Sequence, residues 1–433
     1  MMDSKLFYKD IPPRYRLIFL AFFVLASIVS IMVCPPFALI TVWGATVIIY
    51  MTIKKPDNVL ALQQDQKDID DAKLFNKFID VLYAGNFIDR KTTEDDLEIE
   101  VSAPLVYTLK VHQHGKTEKD LISCVEASLN AMACSSVEVR RSAPAEYVVV
   151  YTELPPVEIL ADMEIQYAEL LREEKNLSIS SLPVGRFVDG SPVCLNLLSR
   201  NALINGNPRS GKSVLLNALL CDLLRVSHPE KIIVMSPKIL DFFWASLSCE
   251  MIQDPVEMLD ELKKIREEAE RRKEYCIARG LTKIDPEHFK DCPHITVIID
   301  EFTVIKTTTV EDENGKTIKI GEAIENAIMR LVAETGFAAI SFVLCTQRVS
   351  SKNMNTDLRD LIAGCRCTMA TETPESTKMI LGDYAQYAPA HEIGADQKGV
   401  GYISLDGSIP RAFKGVLCTQ EDQRSAASTK KKR

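Results

Sequence analysis

The segment Gly206-Asn207-Pro208-Arg209-Ser210-Gly211-Lys212-Ser213 lies between a short apolar run, Ala202-Leu203-Ile204-Asn205, and a stretch from Val214 to Val226 that is apolar on nearly every side. Strand, G-x-x-x-x-G-K-S loop, helix is the order in which such a loop holds a phosphate. Its glycines let the backbone curl until the N–H groups point inward, and the N-terminus of the following helix adds partial positive charge. The segment therefore commits this part of the chain to an α/β sheet with the loop at the carboxyl edge of a strand. It also makes Gly206–Ser213 the expected site for the phosphates of ATP and for Mg2+. Lys212 would reach the β- and γ-phosphates, and Ser213 would place its hydroxyl on the metal.

Further along the chain, Ile295-Thr296-Val297-Ile298-Ile299-Asp300-Glu301 reads as a buried strand ending in two carboxylates. Buried parallel strands deliver residues at their carboxyl ends. Asp300 is expected to hold the water shell of Mg2+. Glu301, beside the metal but not on it, is expected to orient or deprotonate the attacking water. A third strand, Ala339 to Cys345, leads into Thr346-Gln347-Arg348, where Gln347 is the expected sensor of the γ-phosphate. A fourth, Ile232 to Met235, leads into Ser236-Pro237-Lys238, whose lysine is left either beside the nucleotide or in solvent.

From Leu17 to Ile53 there is no charged residue. Cys34-Pro35-Pro36 divides this run into Leu17–Val33 and Phe37–Ile53, about 17 residues each, just enough for two short spans. Lys5, Lys9, Arg14 and Arg16 precede the first, Lys54 and Lys55 follow the second, and the turn is uncharged. By the positive-inside rule the expectation is a transmembrane hairpin in a multi-pass cell-membrane protein, with both termini and the ATPase domain cytoplasmic. A cleaved signal peptide fits less well, because the run is too long and no small-x-small site precedes Cys34.

The remaining organisation follows from pattern. Residues 1–56 form the hairpin, with spans at about 17–33 and 37–53, and 57–96 a helical connector. A small α+β domain is expected over 97–177, with strands around Leu105–His112, Val137–Arg141 and Tyr147–Thr152, a helix opening at Thr117, and a helix from Pro155-Pro156 to about Lys175. Alternating strands and helices occupy 178–420, and 421–433 is a basic tail ending in Lys430-Lys431-Lys432-Arg433. With 51 Lys and Arg against 60 Asp and Glu, a net charge of -9, the chain is no general polybasic nucleic-acid binder, and any DNA contact must be local. The twelve cysteines include no C-x-x-C pair and read as reduced thiols.

These motifs together resemble the FtsK/SpoIIIE family of DNA-pumping ATPases, within the wider HerA/FtsK group. Ser236-Pro237-Lys238 stands where the family carries Asp-Pro-Lys, and Glu270-Arg271-Arg272 resembles its Met-Glu-Arg-Arg helix. Ile299-Asp300-Glu301-Phe302 is similar to Val-Asp-Glu-Phe, and Leu344-Cys345-Thr346-Gln347-Arg348 to Leu-Ala-Thr-Gln-Arg. The resemblance implies a RecA-like P-loop NTPase motor preceded by a small α+β domain, and a homo-hexameric ring acting on DNA with ATP sites between subunits. The family's arginine that completes the neighbour's site is replaced around Glu334-Thr335-Gly336-Phe337, which leaves Arg330 and Arg366 as candidates. The compact layout is closest to the coupling ATPases of Gram-positive conjugative elements, with a relaxase and secretion-channel proteins as implied partners. A chromosomal double-stranded DNA translocase and a type VII-like protein-secretion motor stay open as alternatives.

Overall fold

The computed structural model describes residues 76–77, 79–82, 84–85, 97–103, 106–112, 117–126, 134–144, 146–174, 177–228, 230–311, 316–347, 354–362 and 364–431. By its internal contacts the chain divides into 1–79 and 80–433, and all that follows concerns the second unit.

An antiparallel sheet is built from β1 (Leu97–Ala103), β2 (Val106–His112), β3 (Ser136–Ala143) and β4 (Glu146–Thr152), in the order β1-β2-β4-β3. The helix expected at Thr117 is α1 (Glu118–Glu126). Its start is a reciprocal cap: the Thr117 amide donates to Asp120 at 2.8 Å, and the Asp120 amide donates to the Thr117 hydroxyl at 3.3 Å. After Pro155 the expected single helix is two short ones, α2 (Pro156–Ala161) and α3 (Tyr167–Glu173). The intervening strap, 162–166, is instead held to a later segment: the Leu417 amide donates to Ile165 at 2.7 Å, and the Tyr167 amide to Leu417 at 3.2 Å. That tertiary bonding overrides local helix preference.

The large sheet contains β5 (Leu182–Phe187), β6 (Pro192–Leu195), β7 (Ala202–Asn205), β8 (Glu230–Met235), β9 (Glu250–Ile252) and β10 (His294–Ile299). Two short strands, β11 (Val310–Glu311) and β12 (Thr317–Ile318), pair separately. The large sheet is completed by β13 (Ile340–Thr346), β14 (Cys365–Met369), β15 (Val400–Leu405) and β16 (Arg411–Gly415). Its order is β6-β5-β16-β15-β14-β7-β13-β10-β8-β9. The run from β14 to β9 is parallel, whereas β15, β16, β5 and β6 extend it antiparallel. The result is a mixed sheet whose parallel half carries the motifs.

Both faces of that half are covered. Along β10, Ile298 packs toward α4 (Lys212–Arg225), while Val297 and Ile299 pack toward α5 (Pro255–Arg279) on the other side. Two apolar faces are what a continuous Val/Ile run requires. Helix α4 is buried almost all round because it is covered on its far side by the C-terminal helix Gln420–Lys431. Helix α5 is charged along its outer face but pins the sheet through Arg272, whose guanidinium donates to the carbonyls of Ala338 and Pro293, each at 2.7 Å.

The expected spans, 17–33 and 37–53, and most of the 57–96 connector lie outside the described residues. Among the described residues no helix is long and apolar enough to cross a membrane. The largely buried α4 has 14 residues, which at about 1.5 Å per residue is too short for a bilayer, and the 25-residue α5 is heavily charged. The multi-pass membrane location is corrected accordingly.

Candidate functional site

Strand β7 is wholly buried and lies between β13 and β14, so the loop after it emerges at the carboxyl edge of the parallel strands. Two loop glycines are there for space. A Cβ on Gly206 would stand 2.6 Å from the Cβ of Met369, and one on Gly211 would stand 3.0 Å from the Cα of Gly399. The loop is tied to its surroundings by backbone bonds, from the Asn207 amide to Ala370 at 2.7 Å and from the Gly399 amide to Ser210 at 2.9 Å. Pro208 and Arg209 are exposed, and Arg209 has a left-handed φ of 67°.

Lys212 is buried and folds back into the loop, where its Nζ donates to the carbonyls of Gly206 and, at 2.8 Å, Asn207. Burial pulls its pKa below the ordinary lysine range. The Ser210 hydroxyl is buried in the same loop with no hydrogen-bond partner among the described residues. An orphaned donor, a buried cation and a cradle too tight for side chains fit a polyphosphate. Ser213 is exposed at the mouth of the loop.

Strand β10 is wholly buried and delivers Asp300 and Glu301. The Asp300 amide continues the ladder to Met235 at 2.9 Å, and its carboxylate accepts from the Ser236 hydroxyl at 3.3 Å. Burial first, and then the charge of Glu301, raises the Asp300 pKa above the usual aspartate value. Glu301 caps the short helix α6 (Phe302–Lys306) with φ 55° and ψ 42°. A left-handed conformation at a non-glycine residue costs roughly 1–2 kcal/mol, and such strain gathers where a side chain is being aimed. Its Oε1 accepts from Lys238 Nζ at 2.6 Å and from Gln347 Nε2. Side chains from the ends of β8, β10 and β13 thus meet at one carboxylate, and Lys238 lines the cleft with its side chain 56% exposed.

Lys212, Ser213, Lys238, Asp300, Glu301 and Gln347 open on one cleft of about 710 Å3, which Gly206, Asn207 and Ser210 of the loop do not line. No cluster of three or more His, Cys, Asp or Glu capable of holding a metal occurs among the described residues. Ser213 and Asp300 do face the same space, which suits Mg2+, an ion usually held by one or two protein oxygens together with phosphates and water. The cleft also has a wall that sequence reasoning missed: Ala161 at the end of α2 and Asp162–Ile165 of the strap, with Lys398, Gly399 and Lys414 from either end of the β15–β16 return. No motif marks these residues, which lie far from Lys212 in the chain.

The two arginines considered for a neighbour's site differ. Arg366 is spent within the chain, donating to the carbonyls of Ile362 at 3.2 Å and Arg359 at 3.4 Å. Arg330 is exposed, near the end of α7 (Ile320–Glu334) that leads into the amino end of β13. Arg348 lies outside the described residues.

Residues 167–351 match the FtsK/SpoIIIE family. A DNA translocase FtsK of Pseudomonas putida is 23% identical over 310 residues, 61% of this chain and 35% of that protein. One of Treponema pallidum is 28% identical over 266 residues, 56% and 30% of the two chains. This chain therefore spans about a third of the length of these relatives. Among solved structures, the pCW3 conjugation coupling protein TcpA, in its monomer form with ATPγS, superposes with a TM-score of 0.54 at 16% identity, over 83% of this chain and 99% of that one. The segment is an FtsK/SpoIIIE-type P-loop ATPase domain within an α/β fold, a family that implies ATP and Mg2+.

Proposed function

We propose that this chain hydrolyses ATP to move DNA, and that Glu301, held between Lys238 and Gln347, is the observation that carries the reading. Two donors from flanking strands fix a carboxylate at the carboxyl edge, with β13 alone between its strand and that of the phosphate loop, where a base acting on water is needed. In this mechanism the backbone amides of Arg209 and of Gly211–Ser213, with the Lys212 ammonium, would bind the phosphates; Pro208 has no N–H, and the Asn207 amide is bonded to Ala370. Mg2+ bound with ATP supplies charge neutralisation at the transferring phosphoryl group. Ser213 and Asp300 would hold the ion, Glu301 would take the water's proton, and Gln347 would report the state of the γ-phosphate through its bond to Glu301.

The substrate is DNA, engaged through its backbone and not its bases, because a motor must accept any sequence; with a net charge of -9 the basic contact is a local one. A homo-hexameric ring with the site between subunits would supply the missing arginine, and Arg330 is the exposed candidate. Within this reading we favour a conjugative coupling ATPase, acting with a relaxase and channel proteins. The likeness to TcpA runs over 99% of that chain and supports the compact layout. A chromosomal translocase fits the relatives equally in fold. ATP hydrolysis measured with single-stranded and with double-stranded DNA tests the proposal: stimulation by either supports a DNA motor, and stimulation by the single strand alone favours coupling. Hydrolysis indifferent to both would refute it.

A further inference from the structure

We infer that Lys414 is a nucleotide-contacting residue that ties ATP occupancy of the cleft to Ala161, the last residue of α2, and to the strap 162–166 that follows it, and through them to the small four-stranded sheet. The inference rests on the ATP site read above. Lys414 lies on β16, beyond the residues that match the family. Its side chain runs across Gly399, where an added Cβ would stand 3.7 Å from Cε of the lysine. Gly399 in turn donates its amide to Ser210 of the phosphate loop, and Gly415 donates to Gly399 at 2.8 Å. The lysine is thereby stacked one residue away from the loop.

At its far end, Lys414 Nζ donates to the carbonyl of Ala161 at 3.2 Å, while still lining the cleft. A single carbonyl satisfies one of the three ammonium donors, so two remain for a ligand. Burial lowers the Lys414 pKa more than nearby Asp162 and Glu164 raise it, which leaves a cation that gains from an anion placed beside it. Polyphosphate is that anion.

The same strand reaches the small sheet. Three residues before Lys414, Arg411 is buried and donates to Glu138 of β3 at 3.0 Å and to Asp189 at 3.1 Å; Asp189 also pairs with Arg140 of β3 at 3.0 Å. Strand β16 is thus pinned to the small sheet at one end and carries the cleft lysine at the other. The strap, held to Leu417 just after β16, closes the circuit. Nucleotide that draws on Lys414 stiffens the strap, because the lysine keeps Ala161 as its second partner.

The test uses the full chain with a fluorescent ATPγS analogue and Mg2+. Lys414→Met should weaken binding about tenfold, the value of one charge-assisted hydrogen bond, and Lys414→Arg should restore most of it. In the wild-type protein, nucleotide should slow amide exchange in 161–166 by about tenfold, a measurement that needs no variant. Lys212→Ala separates the two readings. If it abolishes binding while Lys414→Met leaves affinity unchanged, or if wild-type exchange in the strap does not respond to bound nucleotide, the role of Lys414 is refuted and the ATP site stands. If the wild type binds no nucleotide, both fall.

Discussion

The ammonium of Lys238 donates to Glu301 Oε1 at 2.6 Å, from the strand next to the one that carries the glutamate. Gln347, from the strand on the opposite side, donates to the same oxygen. The carboxylate is consequently positioned by its two neighbours, and by a backbone turn whose left-handed φ only a tightly determined surrounding would tolerate.

Lys238→Met removes one of the two positioning donors and leaves the phosphate loop intact. Turnover should fall about tenfold while the KM for ATP stays within about twofold, because the loss is felt by the base and not by the bound phosphates. Steady-state kinetics at several pH values check this. A rise in KM with unchanged kcat would make Lys238 a binding residue.

Gly206→Ala places a methyl 2.6 Å from the Cβ of Met369, which sits on the neighbouring strand β14 and cannot swing away. Overpacking of this kind costs about 1–3 kcal/mol. Urea denaturation should show a lower midpoint with an unchanged slope.

Asp300 has a raised pKa, so its ionised form is disfavoured in the folded protein. The sign follows from linkage: the folded state holds the proton more tightly, a stabilisation present below the unfolded value of 3.8 and lost as pH rises through the higher folded one. At neutral pH the nucleotide-free Asp300→Asn variant should therefore melt higher than the wild type. The difference should shrink as pH falls toward about 4. Melting curves across pH test it, and a variant that melts lower at neutral pH would contradict it.

Arg272 is 2% exposed and spans from α5 to the entries of β10 and β13. Arg272→Met strands the carbonyls of Ala338 and Pro293, and should cost about 3 kcal/mol in unfolding free energy. The family-like Glu270-Arg271-Arg272 segment is on this account a structural clamp, and the variant should keep its affinity for ATP.

Much of the site is legible in the sequence because each part is local. Ala202–Asn205 and the loop after it announce a strand, a turn and a helix within a dozen or so residues, and Ile295–Glu301 carries its strand and its carboxylates together. Gln347 can be picked out for the same reason. Lys238 cannot be decided that way, since its meaning depends on β8 lying beside β10, a pairing that no local pattern states. Lys398 and Lys414 are invisible in the sequence: they reach the cleft only because β15 folds back antiparallel against β14 and β16 antiparallel against β15. The strap reads as helix for a related reason, its bonds to Leu417 being with a segment far along the chain. Arg366 looks available in sequence and is consumed by two carbonyls in space.

The central claim, that Glu301 is the base of a DNA-coupled ATPase, is tested most directly by Glu301→Gln. The substitution keeps the shape and an acceptor for Lys238 but removes the basicity, so ATP affinity should stay within a few-fold while DNA-stimulated turnover falls by about a hundredfold or more. Turnover that persists undiminished in the variant, with DNA present and nucleotide bound, would show that another group takes the proton.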